Sequence, residues 1–421
     1  MNVLLIGGGG REHALAWKIA QSPLLEKFFA IPGNPGIANF AACVKNISIE
    51  DNAALVDFAK ANAIDFVVVG PEAPLVNGLV NALNEAGIKA FGASKVAAQI
   101  EGSKIFAKCL MKKYNIPTAD FKIFYNPEDA KNFIRSKGAP IVIKANGLAA
   151  GKGVIVAQTL DEALSAVDEM RTFGEAGNKI LVEEFMDGEE ASVLALTDGE
   201  KILPLIAAQD HKRVDDGDKG LNTGGMGAYA PAPIVDAEIA AQVEEKILKP
   251  TIDALKAEGI IYCGCLYAGL MIKNGTAKVV EFNCRFGDPE TQVILPLMES
   301  DLLELMQACA EGNLSDKKIS WSKNSAVCVI LASGGYPKSY KKNLPIDGVA
   351  KAKALGAMIF HAGTKIKNGE LITSGGRVLG VTITAPTLRE AVDKVYKCVE
   401  VIKFEGLHYR RDIAAKAMRN E

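Results

Sequence analysis

Histidine is scarce in this chain, with four among 421 residues, and aromatic side chains make up only 6%. Four scattered histidines, His13, His211, His361 and His408, leave little from which to build a proton relay. His13 and His211 fall in loop-like, polar surroundings, whereas His361 and His408 read as structural. So few aromatic rings also leave little for a base-stacking platform. Charge of neither sign dominates: 48 Lys and Arg stand against 50 Asp and Glu, a net charge of −2, so no global field draws the chain to nucleic acid or an anionic membrane. The local cluster Lys338, Lys341 and Lys342 reads as a solvated loop. No apolar run approaches the ~20 residues of a membrane span. Met1-Asn2-Val3-Leu4-Leu5-Ile6 runs directly into glycines with no basic start, so no signal peptide is expected. Cysteines stand at 43, 109, 263, 265, 284, 309, 328 and 398. Cys263-Gly264-Cys265 has no second close pair to complete a zinc site. Several lie in apolar runs, where a free thiol behaves as a small hydrophobe. Reduced thiols in a cytoplasmic, soluble protein are expected.

Hydrophobic residues make up 49%, enough for ordinary cores, and the length allows two to four domains at ~100–200 residues each. Residues 1 to about 100 alternate short apolar runs (3–6, 28–31, 44–47, 66–69) with helical patterns near 11–20, 52–62 and 75–86. That alternation predicts an open, mostly parallel sheet with covering helices. Gly7-Gly8-Gly9-Gly10 separates the first strand from the first helix, where backbone N–H groups form an anion site or simply a tight turn. Dinucleotide binding fails on details: Glu12 or His13 stands where the third glycine belongs, and Ala30-Ile31-Pro32 ends the second strand without an acid for a ribose hydroxyl.

Ser103-Lys104 heads a predicted helix, followed by a helix over 127–137 and a strand over 140–144. Asn146-Gly147-Leu148-Ala149-Ala150-Gly151-Lys152-Gly153 then leads into a strand at 154–157. The segment is one residue short of a P-loop, and Gly153 stands in place of the Ser or Thr that would bind Mg²⁺. A glycine loop joining two strands is a flap able to close over phosphates, or a flexible hairpin. After a helix over 161–173, the strand at 179–183 ends in Glu183-Glu184-Phe185, with Glu190 beyond, which suits adenine edges and ribose hydroxyls. Asp210-His211-Lys212-Arg213 through Asn222-Thr223-Gly224-Gly225 reads as a long polar loop with the composition to hold an anionic substrate. Around 325 a third region begins, with strands at 327–332, 358–362 and 378–384 and a helix over 387–402. Gly334-Gly335-Tyr336-Pro337 and Ser374-Gly375-Gly376-Arg377 are turn signals there.

The most informative stretch is Glu281-Phe282-Asn283-Cys284-Arg285, which closes the apolar run 277–280 and continues through Gly287-Asp288-Pro289-Glu290. Strand side chains alternate faces, so Glu281, Asn283 and Arg285 point the same way. A carboxylate, an amide oxygen and a guanidinium on one face read as a Mg-nucleotide phosphate site. Mg²⁺ takes hard oxygens, one or two from protein and others from phosphate, and arginine binds phosphoryl oxygens bidentately.

Taken in order, these segments resemble the ATP-grasp enzymes, and closely the glycinamide ribonucleotide synthetase family, from end to end. The resemblance rests on residues 7–13, Ser103-Lys104, Lys144 with 147–153, 183–190, 210–213, 222–229, 281–292 and 334–337. It implies a multidomain α/β and α+β chain: an N-terminal Rossmann-like parallel sheet (1–102), a central ATP-grasp module (103–322) with a small lid subdomain at about 120–187, and a small C-terminal α/β domain (323–421). It implies that Lys104 and Lys144 contact ATP phosphates, and that Gly147, Gly151, Lys152 and Gly153 form the lid. Glu183, Glu184, Phe185 and Glu190 would surround adenine and ribose. Glu281 and Asn283 would bind Mg²⁺ (or Mn²⁺), with Arg285 facing the transferred phosphoryl group. Glycine and 5-phosphoribosylamine would be held by Gly8, Gly9, Gly10, Asp210, Asn222, Thr223, Gly224, Gly225 and Pro289, with Lys212 a catalytic residue alongside Arg285, and Asp288 orienting or deprotonating the attacking amine. Many ATP-grasp enzymes carry another acidic metal ligand in the preceding strand; Gly269 stands at that place here, so two ligands are assigned. No nucleic acid or membrane partner is expected, and the chain is expected to be a monomer.

Overall fold

The computed structural model describes residues 1–147 and 153–419. The chain opens with a five-stranded parallel sheet in the order β3-β2-β1-β4-β5, built from β1 (Asn2–Gly7), β2 (Lys27–Pro32), β3 (Ala42–Cys43), β4 (Phe66–Val69) and β5 (Lys89–Phe91). Val3 to Ile6 and Phe66 to Val69 are 0–4% exposed, as expected of parallel strands covered on both faces. Gly7 ends β1 at φ +120°, and a Cβ there would lie 2.5 Å from Glu12 Cγ, so the turn admits only glycine. The helix Gly10–Ile19 follows at once.

Two sequence expectations shift here. The strand expected over 44–47 lies at Ala42–Cys43; Val44 donates one more bond to Ala30 O at 2.9 Å, then the chain leaves the edge with Val44 and Ile47 packed on the core as loop residues. The helix expected over 75–86 is two, Glu72–Val76 and Leu79–Glu85, because Gly78 adopts φ +85° between them.

The small sheet has the order β6-β9-β7-β8, from β6 (Phe121–Phe124), β7 (Ile141–Ala145), β8 (Val154–Ala157) and β9 (Ile180–Glu184). Lys144 stands opposite Val154, so the glycine segment joins paired antiparallel strands as anticipated. The expected lid residues Gly151 and Lys152 lie outside the described residues. Helix Lys104–Lys113 begins where Phe106 N donates to Ser103 Oγ at 3.2 Å, an N-cap. Helix Leu160–Met170 stops short of the predicted 173, and 3₁₀ turns take the chain to Asn178.

The chain then forms β10 (Glu189–Thr197), β11 (Ile202–Pro204), β12 (Gln209–Asp210), β13 (Arg213–Asp215), β14 (Lys219–Asn222) and β15 (Gly227–Ala230), and returns as β16 (Gly264–Lys273) and β17 (Thr276–Asn283). The 210–227 stretch is therefore not one long loop: β13 and β14 pair as a hairpin. Strands β11-β10-β16-β17 form the large antiparallel sheet. Between β16 and β17 the register slips, with Gly269 opposite Glu281 but Leu270 opposite Val279. The bulge re-aims Glu281 and Asn283 relative to the strand before them.

The last third adds β18 (Ser325–Ala332), β19 (Met358–His361), β20 (Thr364–Lys367), β21 (Glu370–Thr373) and β22 (Arg377–Ala385), with the helix Leu388–Glu400. Its sheet runs β12-β15-β18-β22-β19, so two of five strands come from residues 209–230. A break in the chain near 322 is not a break in the sheet, and the loops beside β12 and β15 are thereby fixed to the C-terminal region. Among the described residues, no helix is long and apolar enough to cross a membrane. All eight cysteines are free.

Candidate active site

Glu281 lies at the centre of the site. Burial pushes its carboxyl up, but Lys212, Lys144, Lys104 and Arg285 outweigh burial and hold it below the usual range. These cations come from separate elements: Lys104 from the first turn of its helix, Lys144 from β7, Lys212 from the segment between β12 and β13, and Arg285 from the turn after β17. Lys104 Nζ donates to Gly147 O at 2.8 Å, which ties the helix to the root of the glycine segment. Burial lowers the Lys104 pKa, opposed by Glu281 and reinforced by Lys144. Lys212 lies 2.5 Å from Glu190; burial opposes its charge, but Glu190 and Asp210 hold its pKa well above the ordinary value.

Asn283 Oδ1 accepts from Arg285 Nη2 at 3.3 Å, so the amide and the guanidinium share a side as the alternation requires. Arg285 is further held by Glu101 Oε1 at 2.9 Å and Glu72 Oε2 at 3.3 Å. Glu101 also accepts from Cys284 N at 2.8 Å. The metal expectation fits the donor chemistry: Glu281 and Asn283 offer only hard oxygens, and two protein ligands suffice where phosphate supplies the rest. Among the described residues no cluster of three or more acidic, His or Cys side chains could hold a metal unaided. Gly269, directly opposite Glu281, leaves the position of a further acid empty of side chain.

A second group of expected residues converges beside the first. Gly9 and Gly10 face Asp288: a Cβ on either would stand 3.7 Å from its carboxylate oxygens. Arg377 Nη2 pairs with Asp288 at 3.2 Å, and its Nη1 donates to Gly224 O at 2.5 Å and Asp288 O at 2.9 Å. Gly225 packs against Pro289, and Thr223 Oγ1 accepts from Gly225 N at 3.0 Å. Asn222 ends β14 next to them. Gly9 N donates to Glu12 Oε2 at 2.7 Å, and Glu12 Oε1 pairs with Arg11 at 2.6 Å. Arg11 and Arg285 both donate to Phe286 O, at 3.2 and 3.3 Å, which links the two groups.

Three expectations change. Glu183, expected beside the adenosine, is 2% exposed and lies between Lys108 Nζ at 2.8 Å and Lys144 Nζ at 2.9 Å, because β9 turns that side chain inward beneath Lys144. Glu184 takes the opposite face of β9 and pairs with Lys278 at 3.5 Å, and Phe185, beyond the end of the strand, is exposed. Asp288 is poorly suited to deprotonate an amine. Burial would raise its pKa, but Arg377, Arg11 and Gln292 hold it below the usual carboxylate range, and a base works best near the operating pH. His13 is a core residue, its Nδ1 accepting from His361 N at 2.7 Å, with its pKa pushed down to about 3 by burial and by His361.

Sequence reasoning missed Arg11, Glu72, Glu101, Lys108, Glu290 and Arg377. Lys108 was findable, four residues after Lys104 and so on the same helix face. Arg377 closes a turn already noted, and Glu290 lies inside the 281–292 stretch; there Ser192 Oγ and Tyr267 Oη donate to its Oε1 at 3.1 and 2.9 Å. Nothing local marks Glu72 or Glu101.

A small sheet and a larger antiparallel one, with lysines from separate elements meeting at Glu281, define an ATP-grasp enzyme. Three segments match the phosphoribosylglycinamide synthetase models: the N domain over residues 1–101, the ATP-grasp (A) domain over 102–291 and the C domain over 326–416. The chain belongs to the phosphoribosylglycinamide synthetase family. It is 51% identical to a phosphoribosylamine–glycine ligase of Pasteurella multocida over 427 aligned positions, covering 100% of this chain and 99% of that one. It is 52% identical to that of Rhizobium meliloti over 423, covering all of both. Among solved structures, the phosphoribosylamine–glycine ligase of Thermotoga maritima superposes with a TM-score of 0.84 at 33% identity, over 98% of this chain and 100% of that one. A biotin carboxylase–ATP complex from Campylobacter jejuni, at 16% identity and TM-score 0.74 over 100% and 95% of the two chains, shares the fold.

Proposed function

We propose that the chain joins glycine to 5-phosphoribosylamine at the expense of ATP, giving glycinamide ribonucleotide, ADP and phosphate, a step of purine biosynthesis. The observation that carries the reading is the convergence of Lys104, Lys144, Lys212 and Arg285 on Glu281, in a chain whose full-length relatives bear that name. A carboxylate does not acylate an amine at neutral pH, because oxide is a poor leaving group. Transfer of the γ-phosphoryl group of ATP to a glycine carboxylate oxygen forms glycyl phosphate and ADP. The ribosylamine nitrogen then attacks the carbonyl carbon, the C–O bond to phosphate breaks, and the nitrogen loses a proton. No protein nucleophile is required.

Lys104, Lys144 and Arg285 neutralise and orient the phosphoryl oxygens, the electrostatic contribution that dominates phosphoryl transfer. Glu281 and Asn283 would hold Mg²⁺ or Mn²⁺, which when bound supplies further charge neutralisation at those oxygens. The lid expected from the sequence lies largely outside the described residues; its part in the reading would be to exclude water that hydrolyses the acyl phosphate. Glu184, Phe185 and Glu190 would flank the adenosine. Gly8 to Gly10, Asn222 to Gly225 and Pro289 hold the ribosylamine side, with Asp288, fixed by Arg377, orienting the amine. Asp210 would hold substrate beside Lys212, its carboxyl pushed up to about 7 by burial against the pull of that lysine. The domain limits expected from the sequence, a monomer, and a cytoplasmic location belong to the same reading.

The test is ADP release from Mg-ATP with glycine and phosphoribosylamine omitted in turn, the amine being formed in situ from ribose 5-phosphate and ammonia. ADP that requires both, with a product at the mass of glycinamide ribonucleotide, is expected. ADP formed without glycine, or with bicarbonate in its place, would overturn the substrate assignment.

A further inference from the structure

Beyond its last α-helix, Leu388–Glu400, the chain turns back across the molecule. Arg410, 1% exposed, makes a bidentate pair with Asp412, Nε to Oδ1 and Nη2 to Oδ2, both at 2.7 Å. Its Nη1 donates to Asp218 Oδ1 at 2.7 Å and to Arg213 O at 3.1 Å. Around it, Gly217 N donates to Asp412 Oδ2 and Arg411 N to Asp216 Oδ1, each at 2.8 Å. His408 Nε2 lies 2.8 Å from Val214 O, and Lys416 pairs with Asp218. Apart from the Arg410–Asp412 pair, which is internal to this segment, these contacts land on the β13–β14 hairpin.

The hairpin has little else to hold it. Residues 215–217 and 219–221 are exposed, and among the described residues its apolar cluster is Val214 with Met226, Ala332 and Tyr336. An isolated two-stranded hairpin is marginal in water. Yet both its ends enter the site: Lys212 precedes β13 and Asn222 to Gly225 follow from β14. Thr223 closes the base, its N and Oγ1 donating to Lys212 O at 2.7 and 2.9 Å.

We infer that residues 408–416 form a strap that positions Lys212 and the Asn222-to-Gly225 loop, and that Arg410 is its positioning residue. Arg410 touches no reacting group; it acts through Asp218 and the Arg213 carbonyl. The role calls for a guanidinium, whose rigid fork serves Asp412 on one edge and the hairpin on another, whereas a lysine offers three donors from one point. The strap thus couples the end of the chain to the acceptor side of the site, leaving the nucleotide side to Lys104 and Lys144.

The test compares Arg410→Gln with Arg410→Lys in the full chain by hydrogen exchange and by steady-state kinetics. In Arg410→Gln, amides of 213–222 are expected to exchange at least about tenfold faster while those of 104–113 and 141–145 are unchanged. The KM for glycine or phosphoribosylamine should rise about tenfold or more, with the KM for ATP within about twofold, and Arg410→Lys should fall between. Unchanged exchange over 213–222 would overturn the strap. A uniform fall in kcat that tracks lost folded protein, with no split between the KM values, would overturn the positioning role. Should Arg410→Gln not fold, Asp218→Asn, which leaves the Arg410–Asp412 pair intact, replaces it with the same expected split. The kinetic arm rests on the ligase reading; faster exchange in a chain without ligase activity would sink that reading and leave the strap standing.

Discussion

Replacing Glu183 with glutamine isolates the charge beneath Lys144. The Glu183 carboxylate is 2% exposed and has ammonium groups at 2.8 and 2.9 Å, while the side chains of Lys108 and Lys144 are 3% and 5% exposed. Lys108 Nζ also donates to Thr118 Oγ1 at 2.7 Å, and Thr118 Oγ1 to Val279 O at 2.7 Å, so neither lysine near β17 swings freely to water. Glutamine keeps the shape and one acceptor but leaves two buried ammonium groups facing a neutral amide. Removing one partner of a buried ion pair costs about 3–5 kcal/mol, a large part of the ~5–15 kcal/mol that a domain has. The sign of the pH dependence follows from Lys108. Burial lowers its pKa to about 8 even with Glu183 beside it, from 10.5 in the unfolded chain. Between those values the unfolded chain holds more protons, so stability rises with pH. Without Glu183 the folded pKa falls further, and the window opens below pH 8. Urea unfolding followed by circular dichroism at pH 7, 8 and 9 should show Glu183→Gln about 3–5 kcal/mol less stable at pH 7, with the gap narrowing as pH rises. A loss under about 1 kcal/mol at pH 7, the size of an exposed pair, would refute the reasoning, as would a gap that does not narrow.

Arg285→Ala should lower turnover by about 10²–10³ in the ADP-release assay, with the KM for ATP changed only a few-fold; unchanged turnover would remove Arg285 from the mechanism. Glu281→Gln should raise the Mg²⁺ concentration for half-maximal activity by about tenfold or more, and a superimposable Mg²⁺ titration would dismiss Glu281 as a ligand. Burial holds the pKa values of His13, His211 and His361 down to about 3, 4 and 4, so the unfolded chain takes protons that the folded one refuses as pH falls below 6.5. Each should withdraw about 2 kcal/mol by pH 5, opposed by about 2 kcal/mol from Asp210, whose raised pKa favours the folded state on acidification. A net loss of a few kcal/mol between pH 7 and 5 is expected in urea melts, and a flat profile would contradict it.

Much of this protein was legible along the chain. Alternating apolar runs and helical patterns are local, so the parallel N-terminal sheet, the Ser103 cap and the β7–glycine–β8 hairpin followed from propensity and spacing. The 281–285 face was legible for the same reason, since alternation within one strand needs no partner. The misreadings are also physical. Gly78 in a left-handed conformation split a helix whose periodicity was continuous, and Val44 and Ile47, apolar enough for a strand, found their burial in a loop.

What the sequence determined by itself was the set of chemical groups and their local presentation: side-chain oxygens on one strand face, one lysine heading a helix and another near the end of a strand, glycines where a turn requires them. Only the tertiary structure decided which of these meet. Glu72 and Glu101 reach Arg285 across more than 180 residues, Glu183 turned inward beneath Lys144, and Arg410 reached back to a hairpin nearly 200 positions earlier. A buried charge must find a countercharge wherever the packed chain brings one, and that choice is made by the fold as a whole, because no local pattern encodes the distant partner.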